Sequence, residues 1–304
     1  MAAIRTDGTV WTWGNNTYGQ LGHAGGLSSV KATPLQVSGL SNVKSVAAGY
    51  VHSAAVTAAG AVWGWGSMPG RSSSVPVRIS GIPVPVTRIS AGSDFSIAVG
   101  SDGYAYAWGG NRSGQTGTGV RSSQVKDPVR VVGLTNALAI SAGAAHALAL
   151  RADGTVWAWG GNEHGQLGTG NADNTLARPV LGLPTPLAGA STVKAVIAGA
   201  RNSAVVYRDG SVWIWGSNSN GQLGNGSTAP SSTPLLLNTL AGVAAVTVGD
   251  AFVSVLKTDG TVFSMGANSF GQLGNNTTTR SSVPVQVVGL SGAGYVNLGA
   301  SGAR

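Results

Sequence analysis

The chain has 304 residues with no cysteine, 48 glycines and only 9% charged residues, and it carries a net charge of +8 with an isoelectric point near 10.2. That excludes a disulfide scaffold and thiolate metal sites, and the glycines follow no three-residue period, which excludes collagen. No apolar run reaches the ~18–20 residues of a membrane span, no signal-peptide pattern opens the chain, and the bases are not blocked into runs.

The first predicted strand is "AAIRTDG" from Ala2, which ends in an Asp-Gly turn. Within the repeat this is the second strand; the third, "TVWTWG", follows from Thr9, then the loop "NNTYGQLG" from Asn15 and the fourth strand, "TPLQVSGL", from Thr33. The stretch from Asp7 to Gly22 then returns almost intact at Asp153, Asp209 and Asp259. Next come a small, apolar strand ending in glycine, "VKSVAAG" from Val43, and "HSAAVTAAG" from His52. The same small strand recurs as "VTRISAG" from Val86, "ALAISAG" from Ala137, "VKAVIAG" from Val193, "AAVTVG" from Ala244 and "GYVNLG" from Gly294. Later equivalents of the fourth strand are "VPVRISGI", "DPVRVVGL" and "VPVQVVGL". β-Branched residues and alternation favour strands throughout, and no amphipathic helical period exceeds two turns.

Aligned on the turn, the copies start at Asp7, Ala59, Asp102, Asp153, Asp209 and Asp259, spaced 52, 43, 51, 56 and 50 residues apart. From Asp259 through the C-terminus and on to Asp7 is a further 52 residues. One small sheet of this composition cannot bury both its faces, whereas radially packed sheets can, with small residues at the narrow centre. The prediction is an all-β chain, residues 1–304 forming a single six-bladed β-propeller of four-stranded blades. Its ring is closed by a blade shared between the termini, residues 295–304 supplying the inner strand and residues 1–39 the rest.

All nine tryptophans fall in the predicted third strand, with Tyr106, Phe263 and Met265 in equivalent places, which reads as packing between blades. In "GQLG", Gln20, Gln166, Gln222 and Gln272 are expected to hydrogen-bond loop backbone. No helix follows that motif and no Gly-Lys-Ser/Thr occurs, so it is not a phosphate loop.

Taken together, "AGxxHS", "DGxVWxWG", "NxxGQLG" and a following "PxxV" resemble the repeat of the regulator of chromosome condensation family across essentially the whole chain. The resemblance implies a propeller with a shared closing blade. It also raises guanine-nucleotide exchange on a small Ras-like GTPase such as Ran, although the exchange residues have no match here. The founding members have seven blades and this chain supplies six copies; copy two replaces the glutamine loop with "GWGSMPGRSS". The Ser/Thr/Asn-rich loops, the low charge and the lack of a basic nuclear-targeting cluster resemble bacterial, secreted or cell-surface relatives more than a nuclear protein. Near-identical copies and abrupt ends also fit a piece excised or engineered from a longer protein.

The catalytic candidates are weak. His52 and His146 share a repeat position with Phe95, Asn202 and Phe252, so it reads as a packing position; His23 and His164 have no paired ligand spacing. No nucleophile elbow or Ser-His-Asp set can be placed. Asp94 and Asp250 lie beside the same turn glycine in opposite blades, too far apart for shared acid–base work. Two binding surfaces remain. One is the rim formed by the turn after each inner strand, where Tyr50, Asp94, Arg201 and Asp250 differ between copies while the frame repeats. The other is a basic flank containing Arg112, Arg121, Lys126 and Arg130. The expectation is a monomeric, non-enzymatic scaffold that binds a protein, uses no cofactor or metal and does not bind nucleic acid, with the exchange factor as the alternative.

Overall fold

The computed structural model describes residues 1–24, 30–170, 174–184 and 192–294. Among these residues every regular element is a strand, and the strands form six antiparallel sheets in chain order. Sheet one holds Ala2–Ile4, Val10–Gly14 and Lys31–Gln36. Sheets two to six have four strands each. Their first strands are Val43–Ala48, Val86–Ala91, Ala137–Ala142, Val193–Ala198 and Val243–Val248. The predicted inner strand from Tyr295 lies outside the described residues.

Those five first strands touch one another in succession, and Ala2–Ile4 of sheet one touches Val43–Ala48. Small side chains allow this approach. Ser90 Oγ accepts the Ala142 N–H at 3.0 Å and Ser141 Oγ accepts the Ala198 N–H at 2.9 Å, which ties neighbouring inner strands together.

The apolar cores lie between consecutive sheets. Phe95, Ile97 and Val99 of sheet three pack with Ala147, Ala149 and Trp159 of sheet four. The alternate residue Ala98, with Trp108, packs with Val56 and Val62 of sheet two. A strand's two-residue period thus serves both neighbours. Trp65, Trp159 and Trp215 are completely buried. Their indole N–H groups donate to the carbonyls of Gln20, Gln115 and Gln166 in the preceding sheet's loop, at 2.9, 2.9 and 2.8 Å. Each such indole buries roughly 150–250 Å², worth about 4–6 kcal/mol of apolar transfer. In sheet three, whose predecessor lacks the glutamine loop, Trp108 instead shares its cluster with Met68.

Two local devices recur. At the hairpins between second and third strands, Asp7, Asp153, Asp209 and Asp259 accept the N–H of Thr9, Thr155, Ser211 and Thr261 at 2.8–3.0 Å. The glycine after each aspartate has φ between 78° and 82°, which favours glycine. In the outer strands the pairing skips beside Pro34, Pro76, Pro128, Pro234 and Pro284; sheet four has Ala177 at that place.

Candidate protein-binding face

The described part of the rim is built from one turn in each of sheets two to six. In each described turn the glycine N–H donates to the carbonyl three residues on: Gly49 to His52, Gly92 to Phe95, Gly143 to His146 and Gly199 to Asn202 at 2.8 Å, and Gly249 to Phe252 at 2.9 Å. The turns of sheets two, three, four and five are joined directly. The N–H groups of Tyr50 and Val51 donate to the Ser93 carbonyl at 3.2 and 3.3 Å, that of Ser93 to Ala144 at 3.3 Å and that of Ala144 to Gly199 at 3.2 Å. A Cβ at Gly49, Gly92 or Gly143 would overlap the carbonyl oxygen of the next turn's glycine, so only glycine lets the turns close up. Backbone groups hold the rim, and tip side chains such as Tyr50 and Arg201 are left exposed.

Tyr50 is 55% exposed and Arg201 is exposed. Tyr50 and Asp94 occupy adjacent turns, as do Arg201 and Asp250, and Ala144 and Ala145 of sheet four lie between the two pairs. Asp94 is exposed at its tip, yet its carboxylate lies over Gly110 and accepts a 3.4 Å hydrogen bond from Gln115 Nε2. Desolvation raises its pKa, opposed by that hydrogen bond and by the nearby charge of Arg112. Ala200 is buried. Ala300 and Ser301 lie outside the described residues.

The loops after the third strands rise at the same end of the sheets. The motif is explained by two side-chain bonds. The amide oxygens of Asn16, Asn162, Asn218 and Asn268 accept the N–H of the leucine five residues on, at 2.8–2.9 Å. Those of Gln20, Gln166, Gln222 and Gln272 accept the N–H two residues back at 2.8–2.9 Å, as expected. Gln20 Nε2 also reaches the Tyr50 carbonyl at 3.4 Å, joining loop to rim. On this frame the tips of Tyr18, Val120 and Phe270 project, 46%, 62% and 94% exposed. They add apolar surface that the rim reading missed; for Tyr18 and Phe270 the signal was there, because the residue before the motif's Gly-Gln varies from copy to copy, whereas Val120 lies five residues after Gln115.

The basic flank is not one patch. Arg112 belongs to the rim beside Asp94, and Arg121 lies in the same loop. The stem of Lys126 covers Gly70 of sheet two. Arg130 is at the far end of its strand, stacked on Tyr104 with its guanidinium carbon 3.3 Å from the ring centre. Gln124 and Arg130 are about 20 Å apart at the rise of a strand. Arg71 is paired with Asp127 across sheets two and three.

The other titratable groups serve the frame. His52 Nε2 meets Ser96 Oγ at 2.7 Å and His146 Nε2 meets Ser203 Oγ at 3.0 Å, each pair spanning two sheets. Ser203 Oγ donates to the Gln166 carbonyl at 2.7 Å, so His146 Nε2 carries the proton and donates to it. Burial depresses the two imidazoles to about 4 and about 3. Asp259 is held at about 2, first by its bonds from Thr261 and then by Lys257. Among the described residues no three His, Asp or Glu side chains come together as metal ligands, and no helix is long and apolar enough to cross a membrane.

The sequence model of the RCC1-like domain matches residues 68–303, and that of the regulator of chromosome condensation (RCC1) repeat matches residues 7–56. The chain is 29% identical over 249 residues to the ultraviolet-B receptor UVR8 of Arabidopsis thaliana, covering 79% of this chain and 56% of that protein. It is 31% identical over 252 residues to the human E3 ubiquitin-protein ligase HERC2, covering 79% of this chain and 5% of that protein. Among solved structures it matches Prp20p of Saccharomyces cerevisiae, described with its binding to Gsp1p and histones. That match has a TM-score of 0.84 at 22% identity and covers 94% of this chain and 74% of the other. The chain therefore spans about half the length of the plant relative and a small part of HERC2. These relatives are eukaryotic and lend no support to the bacterial context expected above.

Proposed function

Because the chain belongs to the RCC1-like domain family, we propose that it is a monomeric, non-enzymatic propeller that binds a protein on the face formed by the rim turns and glutamine loops. One observation carries this reading: backbone hydrogen bonds join the rim turns of sheets two to five, while the tips present a different residue in each copy, among them Tyr50, Asp94, Arg201 and Asp250. A symmetric frame thereby carries an asymmetric surface, and Tyr and Arg are the residues that most often anchor interfaces. Prp20p, of the same fold, binds proteins, which is consistent with that use.

The test compares two doubles against a partner recovered by crosslinking: Tyr50→Ala with Arg201→Ala, and Arg121→Ala with Lys126→Ala. The rim double is expected to weaken binding about 30-fold or more, as loss of an interface anchor worth about 2 kcal/mol would. The flank double is expected to change it little. Loss only in the flank double moves the site outward; loss in neither removes both surfaces. Accelerated release of labelled nucleotide from a Ras-like GTPase would favour the exchange-factor alternative, which rests on the family alone.

The proposal includes a ring of six blades, with residues 295–304 completing sheet one from its inner side. Sheet one has three strands among the described residues where the others have four, which fits that closure. Deleting residues 295–304 should cost more than an ordinary point substitution, roughly 0.5–3 kcal/mol. A truncated chain that melts within a degree or two of the parent would reject shared-blade closure.

A further inference from the structure

Sheet two departs from the repeat in a way that leaves space. Its third and outer strands are joined by six residues, 67–72, where the other five sheets use 13 to 16. Elsewhere consecutive loops pack together: Ser113 of the sheet-three loop lies against Gly161, where the sheet-four loop begins. By repeat position Tyr18 corresponds to Ser113 and Ser67 to Gly161. Between sheets one and two, then, the first loop meets only the stub of a second. A cleft of about 310 Å³ opens there, lined by Thr17, Tyr18, Ser67, Ser72, Ser73 and Ser74. That is at the lower end of the roughly 300–1,000 Å³ range of small-ligand sites.

Every lining residue carries a hydroxyl and none carries a charge. Ser72 and Ser73 turn their Oγ atoms back on their own segment, Ser72 to Met68 and Ser73 to Val75. The hydroxyls of Thr17, Tyr18, Ser67 and Ser74 make no hydrogen bond within the protein among the described residues. Each is both donor and acceptor, and the Tyr18 ring beside them is 46% exposed. An anion would find no cation in the lining, and an apolar ligand would strand the hydroxyls. A ligand that offers donors and acceptors of its own together with a C–H face for the tyrosine ring satisfies both. We propose that this cleft is a binding site for a neutral saccharide, separate from the rim turns although it shares Tyr18 with the glutamine-loop face.

The test is saturation-transfer difference NMR on the full chain, with glucose, galactose, mannose, N-acetylglucosamine and their disaccharides each at about 10 mM, enough to detect a millimolar Kd. Inorganic phosphate serves as the anionic competitor. Transfer to at least one sugar is expected. It should be about tenfold weaker in Tyr18→Ala, retained in Tyr18→Phe and lost in Ser67→Leu, which fills the cleft. Thermal melting checks the fold of each variant, and Ser74→Leu on the outer-strand wall replaces Ser67→Leu if the latter does not fold. No transfer to any sugar, equal transfer in Tyr18→Ala, or displacement by phosphate would overturn the proposal.

Discussion

Gly143→Val is expected to destabilise the protein by about 3 kcal/mol or more, at the severe end of overpacking. A side chain there would strike the Gly199 carbonyl oxygen and the His146 ring together. The first belongs to a neighbouring rim turn and the second to a sheet-spanning hydrogen bond, so neither can yield alone. Gly133→Ala supplies the contrast. Gly133 has φ of 80° but open space around its missing Cβ, so its substitution should cost about 1–2 kcal/mol from backbone conformation alone. Urea unfolding of the two variants measures the difference. Equal losses would mean that the turns are not sterically locked.

Acid should weaken the fold through His52 and His146. Their folded-state pKa values, about 4 and about 3, lie below the ordinary 6.5. Between those limits the unfolded chain binds protons that the folded chain excludes, so stability is full above pH 6.5 and falls as pH drops toward the folded values. At 1.36 kcal/mol per unit, the step from pH 6.5 to 5 should remove about 2 kcal/mol for each histidine. His146→Phe is the informative variant. Phe95 and Phe252 already occupy that repeat position, and Ser203 keeps its bond to the Gln166 carbonyl. The substitution should halve the slope of unfolding free energy against pH in this window. An unchanged slope would assign the acid sensitivity to other groups.

The sheets were legible because each repeated residue does the same physical task in most copies. The tryptophan strands, the Asp-Gly turns and the Gln-loop bonds follow from type and spacing alone. The rim was legible as a set of positions, but not in detail. Nothing in the sequence said that the Asp94 carboxylate folds back over Gly110 or that Ala200 is buried, since both depend on how neighbouring turns approach. The basic flank misled because closeness in sequence does not say which end of a strand a side chain occupies: Arg112 and Arg130 are 18 residues apart and face opposite ends of sheet three. The cleft beside Tyr18 was hidden for a different reason. It results from missing loop residues in copy two, and a gap takes a shape only once the neighbouring loop is in place.

The prolines of the outer strands have a consequence for how copies of the molecule behave toward one another. Each outer strand is a sheet edge with unpaired backbone groups, a template on which another chain could add a strand and begin an aggregate. Proline has no N–H to offer and interrupts the run of donors at mid-edge. Five of the six edges carry it at the same place, and in sheet four the charged Arg178 and then Pro179 follow Ala177. The residue that protects an edge from such pairing is thus written into the repeat itself, at the strand most open to another copy.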